Sequence, residues 1–187
     1  MTAAAVRVCF YGPTGSGKTT VARHVAERYG AELVKASEPL HRLQRMFYEV
    51  LELPVDGQDG ELLQFLAGKV ERERPGWLAG SLTRRVREAT SPVVVNDDCR
   101  ANTYPAFEAL GFVFVRVRST PDAIARRRRA DHTPVDPRHP VERGFEAFRM
   151  DHELDNSGAI EHTLAAVDEL MDGLVPMHGS GVGHRVR

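Results

Sequence analysis

Residues 5 to 29 read AVRVCFYGPTGSGKTTVARHVAERY, and three kinds of local structure follow one another within them. AVRVCF at 5 to 10 is a short apolar run rich in β-branched side chains, as expected of a strand buried inside a parallel sheet, and it ends at Tyr11-Gly12. From Gly17 to Tyr29, Val21, Ala22 and Val25 fall on one helical face, and Gly30 follows where a left-handed residue would end the helix. Between strand and helix stands Gly12-Pro13-Thr14-Gly15-Ser16-Gly17-Lys18-Thr19, with the spacing G-x-x-x-x-G-K-[ST]. Glycines here allow φ > 0 and a close backbone approach, so that amide N–H groups wrap inward around an anion. The dipole of the following helix adds to that attraction. Lys18 is placed to reach the β- and γ-phosphates of a nucleoside triphosphate, and the Thr19 hydroxyl to ligate Mg²⁺. Pro13, Thr14, Ser16 and Thr20 belong to the same nucleotide-binding stretch.

Working outward, strands and helices alternate. AELVK at 31 to 35 predicts a second strand. Ser37-Glu38-Pro39 supplies a cap and a first-turn proline for a helix with Leu40, Leu43, Phe47 and Val50 on its apolar face, and with His41, Arg42, Arg45 and Glu49 opposite. ELPVDGQDG at 52 to 60 is turn-rich, and helices are predicted over 61–73 and 77–89. Val93-Val94-Val95 is the most strand-like run and ends in Asn96-Asp97-Asp98. A helix over 102–110 closes at Gly111, a fourth strand spans 112–117, and Thr120-Pro121-Asp122 opens a helix that runs into Arg126-Arg127-Arg128-Arg129. DHTPVDPRHP at 131 to 140 has three prolines and reads as a loop or lid. A short helix near 141–149, the segment Leu154-Asp155-Asn156-Ser157-Gly158, and a helix carrying Ile160, Leu164, Val167 and Leu170 complete the pattern. The expected fold is α/β: a parallel five-stranded sheet flanked by helices on both faces, one domain over 1–176, and a flexible tail over 177–187.

Composition narrows the function. Lys+Arg at 25 against Asp+Glu at 26 give a formal net charge of -1, which argues against bulk binding to nucleic acid or to an anionic membrane. No run approaches the roughly 20 apolar residues of a membrane-spanning helix, and the first residues lack the pattern of a signal peptide. A cytoplasmic protein is expected. Cys9 and Cys99 read as packed thiols rather than a disulfide or zinc framework, and none of the eight histidines has metal-ligand spacing beside carboxylates.

The strand, glycine loop and helix resemble the P-loop NTPases. None of the three lysines follows an asparagine in an N-K-x-D sequence, which argues against a GTPase, and 187 residues are few for a large motor or AAA-type ATPase. The arginine-lidded nucleotide and nucleoside kinases fit better. More specifically, EPL at 38–40, GELLQFLAGK at 60–69, Gly76-Trp77-Leu78 and VVVNDDCR at 93–100, taken in order, resemble the phage-type deoxynucleoside monophosphate kinases. The doubled Asp97-Asp98 and the Ala-Asn-Thr-Tyr after Arg100 depart from that pattern where the phosphate acceptor should bind.

The resemblance implies ATP and Mg²⁺ as ligands, and a nucleoside monophosphate as phosphoryl acceptor. The alternative acceptor is a hydroxyl of another small molecule, nucleoside or modified base. Phosphoryl transfer calls for cations around three equatorial oxygens, and Arg126 and Arg129, three apart on one helical face, are the expected pair. Either Asp97 or Asp98 is expected to serve the metal; alternation puts them on opposite sides of the sheet, and the D-x-R resemblance prefers Asp98 with Arg100. Glu38, Arg42, Arg45, Asp97 and Arg100 are expected around the acceptor, Trp77 in the core, and Asn156 at the donor base. Monomer and homodimer both stay open.

Overall fold

The computed structural model describes residues 6–130 and 144–175. The proline-rich lid at 131–140 and the tail at 177–187 lie outside them, as does the side chain of Arg129. Five parallel strands, β1 (Val6–Tyr11), β2 (Glu32–Leu33), β3 (Val93–Asn96), β4 (Val113–Arg118) and β5 (His152–Asp155), form one sheet in the order β2-β3-β1-β4-β5. The helices are α1 (Lys18–Tyr29), α2 (Glu38–Val50), α3 (Gly60–Glu73), α4 (Trp77–Glu88), α5 (Tyr104–Ala109), α6 (Pro121–Ala130) and α7 (Ile160–Leu174).

Strand alternation sorts the apolar side chains into two layers. Val8, Phe10, Val93, Val95, Val115 and Val117 face α1 and α7, where they meet Val21, Val25, Val167 and Met171. Cys9, Tyr11, Val94, Phe112 and Phe114 face the other way, against Leu82 and Val86 of α4 and Phe107 of α5. Both faces are covered, which is why the central strands are continuous apolar runs.

Four expectations change. The stretch around 152–155, HELD, is an edge strand in which only Leu154 is buried, so it carries no apolar run to announce itself. The helix expected near 141–149 contracts, within the described residues, to one 3₁₀ turn at Phe145–Ala147. On α2 only Leu40 of the expected apolar stripe is buried; Leu43, Phe47 and Val50 are exposed, because α2 packs on α3 rather than flat on the sheet. Trp77 is half-buried and belongs to neither core layer.

Among the described residues no helix is long and apolar enough to cross a membrane. Cys9 and Cys99 are both buried and form no disulfide, and burial, together with the adjacent Cys99, pushes the Cys9 thiol well up from its usual range. Leu82 is fully buried at the centre of the α4 layer, so Leu82→Ala is expected to cost about 2–5 kcal/mol, read from the urea midpoint of unfolding.

Candidate functional site

The phosphate loop and the aspartates after β3 stand at the carboxyl ends of the parallel strands. The loop after β1 is wound as its sequence requires. Gly12 has φ +143, and a Cβ there would stand 2.5 Å from the Val117 carbonyl oxygen. Gly17 has φ +99, and its Cβ would stand 2.1 Å from Asn156 Nδ2. No other residue fits either position without displacing backbone or a buried amide. Inside the loop, Ser16 N and Lys18 Nζ both donate to the Pro13 carbonyl, at 3.1 and 2.8 Å. Lys18 is buried, Thr19 half-buried and Thr20 exposed.

The outward carbonyls of the loop are held from behind. Asn156 Nδ2 donates to Ser16 O at 2.8 Å, Ser119 Oγ reaches the same oxygen at 3.2 Å, and Arg127 Nη1 donates to Gly15 O at 3.3 Å. These three residues also bond to one another: Arg127 donates to Ser119 Oγ at 2.9 Å and to Asn156 O at 2.7 Å, and Ser119 Oγ donates to Asn156 O at 2.8 Å. Asn156 N and Oδ1 are taken by Arg118 O and by the Thr163 hydroxyl. Its buried side chain thus braces the phosphate-loop backbone. Arg127 turns inward, whereas Arg126 is exposed and the side chains of Arg128 and Arg129 lie outside the described residues. Sequence held one clue: Arg127 follows by four the small, buried Ala123 that marks the inner face of α6.

The two aspartates after β3 divide their work. Asp98 accepts from Ala36 N at 2.9 Å, Ser37 N at 2.8 Å, Ser37 Oγ at 2.6 Å and Asn96 Nδ2 at 2.6 Å. Burial alone would raise its carboxyl; the Ser37 hydroxyl and amide, with Asn96 and Ala36, outweigh it and hold the group below the usual carboxylate range. Asp98 thus ties the loop after β2 to β3, and the Ser37 hydroxyl serves it instead of capping α2. With four donors already on it, Asp98 has little left for a metal. Asp97, just past the end of β3, is buried. Its Oδ2 accepts from Lys35 Nζ at 3.1 Å, while its buried Oδ1 has no partner. A buried carboxyl oxygen without a partner calls for a cation or a ligand hydrogen. Among the described residues no three His, Cys, Asp or Glu side chains cluster as a metal site, so any cation here would share its ligands with a bound substrate.

Beyond Asp97 an open cleft of about 270 Å³ is lined by Lys35, Glu38, His41, Gln44 and Arg45, with residues of the 55–58 turn. Glu38 and Arg45, both on α2, pair at 3.1 Å. Burial lowers the His41 imidazole, and the neighbouring Glu38 only partly offsets this. Lys35 and His41 were not anticipated from the sequence. Arg42 is exposed and off the lining. Arg100 donates to Cys99 O at 3.3 Å and lies 5.9 Å from the Phe145 ring centre, beside the cleft rather than in it.

The comparisons agree with this architecture. A family model described as "ATPase family associated with various cellular activities (AAA)" matches residues 8–73, about a third of the chain, from β1 to the end of α3. No curated protein matches. Solved structures that share the fold include a sugar kinase from a Janibacter species, 16% identical over 92% of this chain and 96% of that one with a TM-score of 0.54. A shikimate kinase from Acinetobacter baumannii is 18% identical over 89% and 91% of the two chains, with a TM-score of 0.53. An APS kinase from Mycobacterium tuberculosis, in complex with AMPPNP and APS, is 18% identical over 89% and 97%, also with a TM-score of 0.53. The fold is that of the P-loop NTPases, in its compact single-sheet form.

Two outcomes follow from the geometry. Arg127→Met removes hydrogen bonds that brace the loop and should lower stability by about 1–3 kcal/mol, whereas Arg126→Met should stay within about 0.5 kcal/mol in urea unfolding. Asp98→Asn should cost about 2–3 kcal/mol at pH 7. Because the folded carboxyl lies below its unfolded value of about 3.9, its contribution is present above that pH and is lost as pH falls through the folded value. The stability gap between wild type and Asp98→Asn should therefore narrow only below about pH 4.

Proposed function

We propose that the chain is an ATP-dependent phosphotransferase that moves the γ-phosphoryl group of ATP to a nucleoside or deoxynucleoside monophosphate. One observation carries the reading: a braced phosphate loop stands on the same sheet edge as a buried, half-satisfied carboxylate and a cleft edged with cations. The likeness of the fold to small kinases, each named for a small-molecule acceptor, supports phosphotransfer as the chemistry.

In this reading the loop amides and Lys18 hold the β- and γ-phosphates and keep the γ-phosphorus in line with the acceptor. An oxygen of the acceptor phosphate forms the new bond to phosphorus, the bond to the β,γ-bridging oxygen breaks, and ADP leaves with that electron pair. Thr19 and Asp97 would hold Mg²⁺, which supplies neutralising charge for the phosphate oxygens. Asp97 takes this role rather than Asp98 because its Oδ1 is the carboxylate oxygen without a donor. Arg127 is spent on the loop, so Arg126 and Arg129 are assigned to the transferring group when the nucleotide binds. Glu38 and Arg45, with Lys35 and His41, face the acceptor.

A second reading, a hydroxyl acceptor, draws on that same oxygen. Asp97 would then accept the hydroxyl proton as general base, a step a monophosphate acceptor does not require. The two are separated by measuring ADP release with Mg·ATP against a panel of ribo- and deoxynucleoside monophosphates, nucleosides and sugars. Turnover with one or a few monophosphates is expected; turnover with neutral acceptors alone would replace the first reading by the second, and none with any acceptor would remove both. Lys18→Ala should lower kcat/KM by roughly 10²–10³-fold whichever acceptor is used.

A further inference from the structure

Arg85 stands outside every role assigned so far. It lies on α4 in the stripe of the buried Leu78, Ser81 and Leu82, so its half-buried side chain runs along the inner face of the helix. Its Nε and Nη2 are closed off from solvent and have no hydrogen-bond partner. Burial works against its charge, and Asp98 and Glu38 are the anions near enough to offset this. Neither supplies a hydrogen bond. The Asp98 carboxylate is filled by Ala36, Ser37 and Asn96, and Glu38 pairs with Arg45. Two sealed N–H groups of a guanidinium are an expensive arrangement unless something binds them.

The chemistry of the missing partner follows from the fork. Adjacent N–H donors of a guanidinium match two oxygens of a single phosphate or carboxylate, and a neutral hydroxyl cannot satisfy them equally well. The corner is also the right one, since Glu38, one of the two anions that act on Arg85, lines the cleft. Lys35 is matched by Asp97 and Arg45 by Glu38, whereas Arg85 keeps two buried nitrogens without a partner.

We propose that Arg85 binds an oxyanion of the acceptor at the corner between α2 and α4, and thereby selects anionic acceptors over neutral ones. This rests on the phosphotransferase reading but not on which group of the acceptor is phosphorylated. The phosphate of a nucleoside monophosphate and the carboxylate of a sugar acid offer the same chemistry, and the test separates them.

The experiment follows thermal unfolding of wild type, Arg85→Met and Arg85→Lys with Mg·AMP-PNP, and then with each of three added ligand sets: nucleoside monophosphates, their unphosphorylated nucleosides, and sugar acids beside the neutral sugars. Wild type should respond to AMP-PNP and respond further to one anionic set but not to its neutral counterpart. In Arg85→Met the AMP-PNP response should persist while affinity for the anion falls roughly 10- to 100-fold, and Arg85→Lys, which keeps the charge without the fork, should fall in between. A monophosphate response identifies a phosphate, a sugar-acid response a carboxylate. The ligand-free unfolding midpoint of each variant shows that it is folded, and Arg85→Lys serves if Arg85→Met is not. Unchanged anion affinity in Arg85→Met, equal responses to charged and neutral ligands, or no response to any anion would overturn the proposal while AMP-PNP binding stands. No response of wild type to AMP-PNP would instead remove the phosphotransferase reading, and with it this one.

Discussion

A loop that turns its amide N–H groups inward around an anion turns its carbonyls outward, and those carbonyls must be satisfied somewhere. Here Asn156, Ser119 and Arg127 meet that need at Gly15 and Ser16, from behind the loop and from three separate segments of the chain. The rest of the arrangement depends on this clamp. It brings the ends of β4 and β5 against the loop after β1, and it consumes the arginine that would otherwise be the natural candidate for the transferring phosphoryl group. Gly17 has no side chain because the amide of Asn156 occupies the space a Cβ would take.

On the opposite side of β1 the same economy applies to the aspartates. Asp98 is spent on holding the loop after β2, and its lowered pKa measures how completely the surrounding donors suit the charged form. Asp97 beside it keeps one buried oxygen without a partner. Two adjacent carboxylates thus meet unlike partners just past the end of β3, Asp97 the Lys35 ammonium and Asp98 the amides of Ala36 and Ser37.

The cleft along α2 is edged by charges that are paired, Lys35 with Asp97 and Glu38 with Arg45, while two buried nitrogens of Arg85 have no partner. Paired charges shape a site at little net cost, whereas an unmatched, partly desolvated guanidinium stores free energy that a ligand can release. The specificity of this protein is therefore sought at α4 as well as at α2, where the sequence had directed attention.

Much was legible in the chain alone. The glycine loop between an apolar run and an amphipathic helix, the βα alternation and the helix stops at Gly30 and Gly111 follow from local rules of backbone freedom and periodicity, and those rules act within a few residues. What the sequence could not decide were the long-range pairings. The edge strand at 152–155 exists because β4 pairs with it. The inward turn of Arg127, the division between Asp97 and Asp98, and the isolation of Arg85 each depend on partners 29 to 112 residues away, or on the absence of one. Periodicity marks which face of a helix is buried, but only the packed structure determines which polar groups meet there and which of them are left with hydrogen bonds still to make.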